Sequence, residues 1–160
     1  MPNDNTAVWM SPPPPIAVLK AMNVVMTPLL ASPLGRRIGG VMLLEFRGRR
    51  TGRTIKIPAN FNDVDGVPMA FTARPWRFNF EGGAPVTVTH RGRAHKTIGT
   101  LVPMTPEGMA VAVRKSLDTG GSAQRMGIKT QVKGHKPSVE ELAEIGPALG
   151  TSVIRFDFTP

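Results

Sequence analysis

The chain has 160 residues and no cysteine, so its length is typical of one folded domain and its chemistry excludes disulfides, thiolate catalysis and thiolate metal sites. Its 20 lysines and arginines exceed its 11 acidic residues and give a formal net charge of +9, which favours anionic partners without choosing among them. The 16 prolines and 17 glycines predict many turns and short strands.

The first 15 residues contain four consecutive prolines, Pro12 to Pro15, and do not resemble a secretory signal. Consecutive prolines favour an extended conformation without internal hydrogen bonds. We therefore expect residues 1–15 to form a mobile proline-rich arm and residues 16–160 to form a single domain. We expect the protein to be cytoplasmic.

An amphipathic helix is predicted from Ile16, because apolar residues recur there at roughly helical spacing. Pro28 should end or kink this helix, since proline lacks the N–H that the helical ladder uses. The segment SPLGRR, residues 32–37, should add a short helical turn.

Two interpretations of this helix stay open. It either covers the core or lies on a membrane surface, where Arg36 and Arg37 would bind anionic headgroups. Residues 16–37 are therefore a candidate for peripheral contact with the inner face of a membrane. A lysine, an asparagine and a proline make the apolar run a poor transmembrane span.

The middle of the chain is predicted to consist of strands joined by turns, with Asp65-Gly66 as a tight hairpin turn. A last alternating strand is predicted over residues 152–158. Because hairpins dominate, the fold class is mainly β with peripheral helices, an antiparallel barrel. The predicted central strands are VMLLEF (41–46), TIKIPANF (54–61), VPMAFTA (67–73), PVTVTHR (85–91) and AHKTIGTLV (94–102).

Helical patterns return after Pro103. The segment TPEGMAVAVRKS, residues 105–116, predicts a helix, and a glycine-rich stretch follows it. Ser138 and Glu141 have the spacing of a capping box, so a further helix is predicted to start there.

Common catalytic motifs are missing from the sequence. It has no nucleotide-triphosphate loop, no serine in a nucleophile elbow and no tyrosine. Its three histidines, His90, His95 and His135, stand apart from any carboxylate cluster, so no metal site is predicted. If the protein is an enzyme, a cofactor supplies the reactive atoms, and no catalytic side chain is assigned.

The densest basic cluster is EFRGRRTGRT, residues 45–54, which directly follows an apolar strand. Glycines at 48 and 52 allow the backbone N–H groups of the turn to approach a ligand closely. The arginines add forked donors for phosphate or carboxylate. The turn is either an anion-binding cradle or a solvated hairpin tip.

Several segments carry a resemblance to a known family. They are Ser32-Pro33-Leu34, LLEFRGRRTGR (43–53) with Pro58 after it, WRFNF (76–80) and GGAPVTV (82–88). In this order, over about residues 20–102, they resemble the deazaflavin-dependent nitroreductase family, which includes quinone reductases. In this chain the segment between Thr72 and Trp76 is shorter than in many relatives, and Ile55 stands where relatives often carry a basic residue.

The resemblance implies a split β-barrel like those that bind flavin mononucleotide (FMN). It implies the cofactor F420, a deazaflavin with a phosphate and an acidic tail, and hydride transfer to a small hydrophobic acceptor such as a quinone, an enone or a nitroaromatic. The residues implied are, for the phosphate, Arg49, Arg50, Thr51 and Gly52; for the acidic tail, Arg53; for the ring, Pro58, Thr72 and Ala73; and for closure of the pocket, Trp76 and Asn79.

Other functions are consistent with some of the same residues and with the predicted barrel. The barrel could hold another flavin such as FMN, or an apolar ligand such as a fatty acid, without deazaflavin chemistry. Nucleic acid is not expected, because the basic residues are not interleaved with aromatic ones that would stack on bases. A homodimer is left open.

Overall fold

The structure is a computed structural model that describes residues 8–10, 15–72, 74–121, 123, 126–131, 134–145 and 151–157. Its strands are β1 (Val8–Met10), β2 (Val41–Arg47), β3 (Thr54–Asn60), β4 (Asn62–Val64), β5 (Val67–Thr72), β6 (Ala84–His90), β7 (Arg93–Pro103), β8 (Ile128–Thr130) and β9 (Ser152–Asp157). Its α-helices are α1 (Ile16–Ala31), α2 (Pro106–Asp118) and α3 (Val139–Ile145), and two short 3-10 helices span Pro33–Arg37 and Pro75–Phe80.

Seven strands form one antiparallel sheet in the order β3-β2-β6-β7-β9-β5-β4. The two edge strands, β3 and β4, follow one another in the chain and are joined by Phe61 alone. A connection of one residue requires both edges to meet, so the sheet curls around its own inner face. The predicted fold class, mainly β with peripheral helices in an antiparallel split-barrel arrangement, is confirmed.

The inner face of the curled sheet holds the first core. Alternate residues of β2 point inward, and their inward neighbours come from β5, β6, β9 and the 3-10 helix Pro75–Phe80. Alternation along the strands thus fills the barrel with side chains. The buried members of this core are Met42, Leu44, Phe46, Ala70, Phe80, Val86, Val88, Ile154 and Phe156.

A second core lies on the outer face of the sheet, under α2 and α3. Strand β9 serves both cores, because Ile154 and Phe156 point into the barrel while Val153 points toward the helices. The prediction of α2 is confirmed, and Thr105 caps it by accepting from the Gly108 N–H at 3.0 Å. The other buried members of this core are Met109, Ala110, Val113, Leu117, Ile128 and Leu142.

The capping box predicted at α3 is confirmed on both sides. The Glu141 N–H donates to the Ser138 hydroxyl at 3.2 Å, and the Ser138 N–H donates to the Glu141 carboxylate at 3.2 Å. His135 adds a contact of 3.0 Å to the same carboxylate. The predicted hairpin turn at Asp65-Gly66 is also confirmed, with both residues at positive φ between the paired Val64 and Val67.

Helix α1 differs from its prediction at one end. It contacts β2, β3 and β6 and continues through Pro28 to Ala31 before the predicted short helical turn, which is the 3-10 helix Pro33–Arg37. Three further residues beyond a proline are tolerated because the ring removes one helical hydrogen bond without blocking the turns that follow. None of the helices in the described segments combines the length and apolar character that crossing a bilayer requires.

Part of the predicted arm is a strand. Val8–Met10 pairs antiparallel with Ile128–Thr130, so that Trp9 lies opposite Lys129. The other described residue of the arm is Pro15, which precedes α1. The rest of the arm, including Pro12 to Pro14, lies outside the described residues.

Candidate functional site

The loop between β2 and β3, residues 48–53, is a tight, internally bonded turn. The Gly48 N–H donates to the Arg53 carbonyl at 2.8 Å, and the Gly52 N–H donates to the Gly48 carbonyl at 2.8 Å. Gly52 has a φ of 68°, in the left-handed region that glycine enters without strain. The Arg53 N–H donates to the Thr51 hydroxyl at 3.3 Å. Three backbone donors of the loop, those of Gly48, Gly52 and Arg53, are therefore used within the loop itself.

The loop is fastened to the 3-10 helix Pro75–Phe80 and the residue that follows it. The Arg49 N–H donates to the Asn79 side-chain carbonyl at 2.7 Å, and the Arg49 guanidinium donates to the Glu81 backbone carbonyl at 2.6 Å. Asn79 in turn donates its amide to the Trp76 carbonyl at 2.8 Å. Asn79 thus caps the short helix and holds the loop at the same time.

The ion pair at this junction adds little to its stability. The Arg49 guanidinium lies 3.5 Å from the Glu81 carboxylate, with both side chains about half exposed. Exposed ion pairs contribute on the order of 0–1 kcal/mol. The hydrogen bonds to backbone groups therefore carry most of the attachment.

Beneath the junction lies an aromatic cluster of Phe46, Trp76 and Phe80. The Phe80 ring centroid is 4.8 Å from that of Phe46 and 6.0 Å from that of Trp76, both in edge-on arrangements. Phe80 is fully buried, and Trp76 is half-buried against the barrel core. The indole predicted to close a pocket is therefore part of the support of the loop.

Two guanidinium groups of the loop remain available to a ligand. Arg50 and Arg53 are exposed, and no carboxylate among the described residues forms a salt bridge with either. Glu45 lies 3.9 Å from Lys56 instead. Like charges three residues apart repel each other, so an anion bound between them gains from both.

Thr72 and Ala73 are the residues that the resemblance implies for the ring edge. The buried Thr72 ends β5, where its hydroxyl accepts from the Arg74 N–H at 3.0 Å and its carbonyl accepts from the Ser152 hydroxyl at 3.2 Å. Both of its oxygens are therefore already engaged. Ala73 lies outside the described residues.

Pro58 is separated from the aromatic cluster by the sheet itself. It pairs with Leu43, and directly opposed residues share a face. The inward face of β2 carries Leu44 and Phe46, so Pro58 lies on the outer face, the side on which α1 packs. The structure brings together Arg49, Trp76 and Asn79 and leaves Pro58 on the opposite side.

A cavity of about 440 Å³ lies at the other end of the barrel and contains none of the predicted site residues. Its walls include the Phe61 and His90 rings, which stack in parallel with centroids 3.7 Å apart. The His90 Nε2 lies 2.8 Å from the Gly39 carbonyl oxygen, the geometry of a hydrogen bond that the ring donates. The other lining residues include Gly40, Asn60, Asp63, Arg91, Thr119 and Gly120.

His90 should make stability depend on pH. Burial lowers the pKa of His90 below 6.5, and the charges of Arg91 and His95 lower it further, against the hydrogen bond to Gly39 that raises it. The unfolded chain then binds a proton more readily than the folded one. The free energy of unfolding therefore rises with pH from the lowered pKa up to about 6.5.

Urea denaturation at about pH 5 and about pH 7 should show lower stability at the acidic value, and His90→Gln should flatten the difference. Glu141 does not interfere. Burial raises the pKa of its carboxyl, but hydrogen bonds from Ser138 and His135 lower it below 4.5, so its contribution is lost at more acidic pH. An unchanged pH dependence in His90→Gln would assign the effect to other groups.

Sequence reasoning missed the two residues that fix the geometry of the loop. Glu81 receives the Arg49 guanidinium, and Phe46 supports Trp76. The signals in the sequence are an acidic residue, Glu81, directly after WRFNF and an aromatic residue, Phe46, at the last inward-facing position of β2. Neither signal identifies its partner, because the contacts with Arg49 and Trp76 span about thirty residues.

Comparison of the chain with protein-family models and with curated proteins finds no match. The fold and the site define a class by themselves: an antiparallel split-barrel protein with a basic loop fastened over an aromatic cluster. The likeness to deazaflavin-dependent nitroreductases rests on the ordered motifs of the sequence.

Proposed function

We propose that the protein is a deazaflavin-dependent oxidoreductase that uses F420 to reduce a small hydrophobic acceptor such as a quinone, an enone or a nitroaromatic. One observation carries the proposal. The 48–53 loop is held in place through Arg49 and Asn79, while Arg50 and Arg53 keep their guanidinium groups exposed and without a carboxylate partner among the described residues.

The donor set of the loop fits the anionic part of F420. Arg50 and Arg53 offer paired donors to phosphate and carboxylate oxygens, and Thr51 offers a hydroxyl. The fastening of Arg49 to Asn79 and Glu81 reduces the conformational entropy that binding must remove. The loop therefore suits an anion whose position must be fixed.

The bound deazaflavin would supply the hydride, and the protein would supply position and charge. The half-buried Trp76, which lies against the buried Phe46, offers an apolar surface next to the charged loop. The carboxylate that contacts the loop, Glu81, accepts from Arg49, so we assign the proton that completes the reduction to solvent.

The first test is a fluorescence titration of F420 with the purified protein. Arg50→Ala combined with Thr51→Ala should weaken binding about 10–100-fold, because a hydrogen bond to a charged group contributes about 1.5–3 kcal/mol. Binding should also weaken as salt rises.

The control is Lys129→Ala combined with Arg155→Ala, which removes one positive charge more than the test variant. These two exposed cations lie on β8 and β9, away from the loop. The control should bind F420 as the unmodified protein does. A loss in the control larger than in the Arg50/Thr51 variant would mean that only net charge matters, and equal affinity in both would exclude the loop as the binding site.

A second candidate function is the binding of another flavin or of an apolar ligand such as a fatty acid. The partly exposed Trp76 favours it, together with the position of Pro58 on the far face of the sheet. Titrations with FMN and flavin-adenine dinucleotide beside F420, and mass spectrometry of molecules that co-purify, distinguish the candidates. Tighter binding of FMN than of F420 would replace the first proposal with the second.

A further inference from the structure

Most of the exposed residues of helix α1 are apolar, and its inward side carries two polar residues beside four apolar ones. Asn23 and Thr27 are half-buried, while Ile16 is 71% exposed, Val24 is 73% exposed and Val25 is 64% exposed. In a helix that faces water the opposite distribution is expected. Lys20 is the one charged residue on the exposed part of α1, whose other members are Ile16, Ala17, Val18, Ala21, Met22, Val24, Val25, Pro28 and Ala31.

This exposed apolar surface continues beyond the helix. Leu34, in the following 3-10 helix, is 59% exposed. Monomeric proteins rarely present a contiguous apolar patch of this kind to water, and large patches mark binding surfaces. We call the exposed residues of α1 together with Leu34 the α1 surface.

Four arginines gather at the end of the α1 surface. Arg36 and Arg37 end the 3-10 helix, and the stem of Arg36 lies over Gly92 in the turn between β6 and β7. The same turn carries Arg91, whose guanidinium lies over Gly39, and Arg93 follows it. All four arginines are exposed. The fold thus adds two cations from the sheet to the two that adjoin α1 in sequence.

The charges at the α1 surface indicate which kind of partner it binds. No acidic residue occurs between Asp4 and Glu45, so the surface presents apolar and positive groups together. A second copy of the chain would bring another set of arginines and no acidic residues from this segment to balance them. A bilayer with anionic lipids offers both an apolar layer and negative phosphates at the same depth.

We propose that the α1 surface binds the face of an anionic lipid bilayer. The helix lies in the membrane plane with Val24, Val25 and Met22 inserted at the boundary between headgroups and acyl chains. The four arginines bind lipid phosphates, and Lys20 extends toward the headgroups. This contact is independent of what the 48–53 loop binds.

The test is co-sedimentation of the full chain with vesicles. Vesicles of equal parts phosphatidylcholine and phosphatidylglycerol should bind the protein, and vesicles of phosphatidylcholine alone should bind it at least about tenfold more weakly. Val24→Gln combined with Val25→Gln should abolish binding. Both positions are exposed, so the fold should tolerate the change.

A second variant tests the charges. Arg37→Ala combined with Arg93→Ala should weaken binding to the anionic vesicles about 30-fold, from about fivefold per arginine. Lys129→Ala combined with Arg155→Ala removes the same charge elsewhere and should change binding much less.

Three results would overturn the proposal. Equal binding to neutral and anionic vesicles would show that the arginines do not select the lipid. Equal loss in the Arg37/Arg93 variant and in the charge-matched control would show that only net charge acts. A dimer in light scattering that Val24→Gln with Val25→Gln dissociates, without vesicle binding, would assign the α1 surface to a second copy of the chain.

Discussion

Phe80→Ala should lower the free energy of unfolding by about 3–5 kcal/mol, the cost typical of emptying a phenylalanine site in a packed core. Phe80 is fully buried, and its ring contacts Phe46 and Trp76. It also lies against Gly99, where an added Cβ would come within 2.8 Å of the Phe80 ring. A domain of this size is stable by only about 5–15 kcal/mol, so this one change removes a large share. Urea denaturation measures it.

The same variant should disturb the candidate site. With the Phe80 ring removed, Trp76 loses an aromatic neighbour, and Asn79 beside it loses a rigid base from which to hold Arg49. Phe78→Ala is the matched control, because Phe78 lies in the same 3-10 helix and is 46% exposed. Its stability should change by less than about 1 kcal/mol. Similar losses in the two variants would contradict the placement of this helix.

Met109→Ala should destabilise the protein by about 2–5 kcal/mol through the second core. The Met109 side chain is fully buried where α2 packs on the outer face of the sheet, close to Leu142 of α3 and Val153 of β9. Partial collapse around the flexible neighbouring methionines, Met69 and Met104, would place the loss at the low end of the range.

Val111→Ala on the same helix provides the comparison for Met109→Ala. Val111 is 39% exposed, so truncating it should cost well under half as much in thermal or chemical denaturation. If Met109→Ala is as mild as Val111→Ala, α2 does not pack on the sheet as described.

The sequence predicted well those secondary-structure elements that depend only on neighbouring residues. The strands β2, β3, β5, β6 and β7, the Asp65-Gly66 turn and the Ser138/Glu141 capping box all follow from residues within a few positions of each other, whereas the three-residue strand β4 was not predicted. The order of the strands in the sheet does not follow from local patterns. The β5–β9 pair, for example, joins Thr72 to Ser152 across 80 positions. Nothing in the sequence of either strand identifies the other as its partner.

The pairing of β1 with β8 was missed for a related reason. Each strand has three residues, and a run that short has too little alternation to distinguish it from a loop. The exact end of α1 does not follow from its proline, because a proline can either end or kink a helix, and the chain continues through Pro28 to Ala31.

In the candidate site, too, the local features could be predicted from the sequence and the long-range contacts could not. Crowding of arginines and glycines at residues 48–53 marked the loop from composition alone. The sequence did not reveal that Arg49 serves as a structural tether while Arg50 and Arg53 stay exposed, because that difference depends on Asn79 and Glu81 across the site. Alternation in β3 could have placed Pro58 on the outer face once Ile55 and Ile57 were assigned to the core.

The position of β9 has a consequence for the order of assembly. It lies between β7 and β5, and both neighbours precede it in the chain by more than forty residues. The hairpins on either side can form early, yet no strand links β7 to β5 by hydrogen bonds until residues 152–157 insert. Closing such long loops is an entropic barrier that slows folding. A chain still on the ribosome therefore has an open gap between β7 and β5 until its ninth strand has been made.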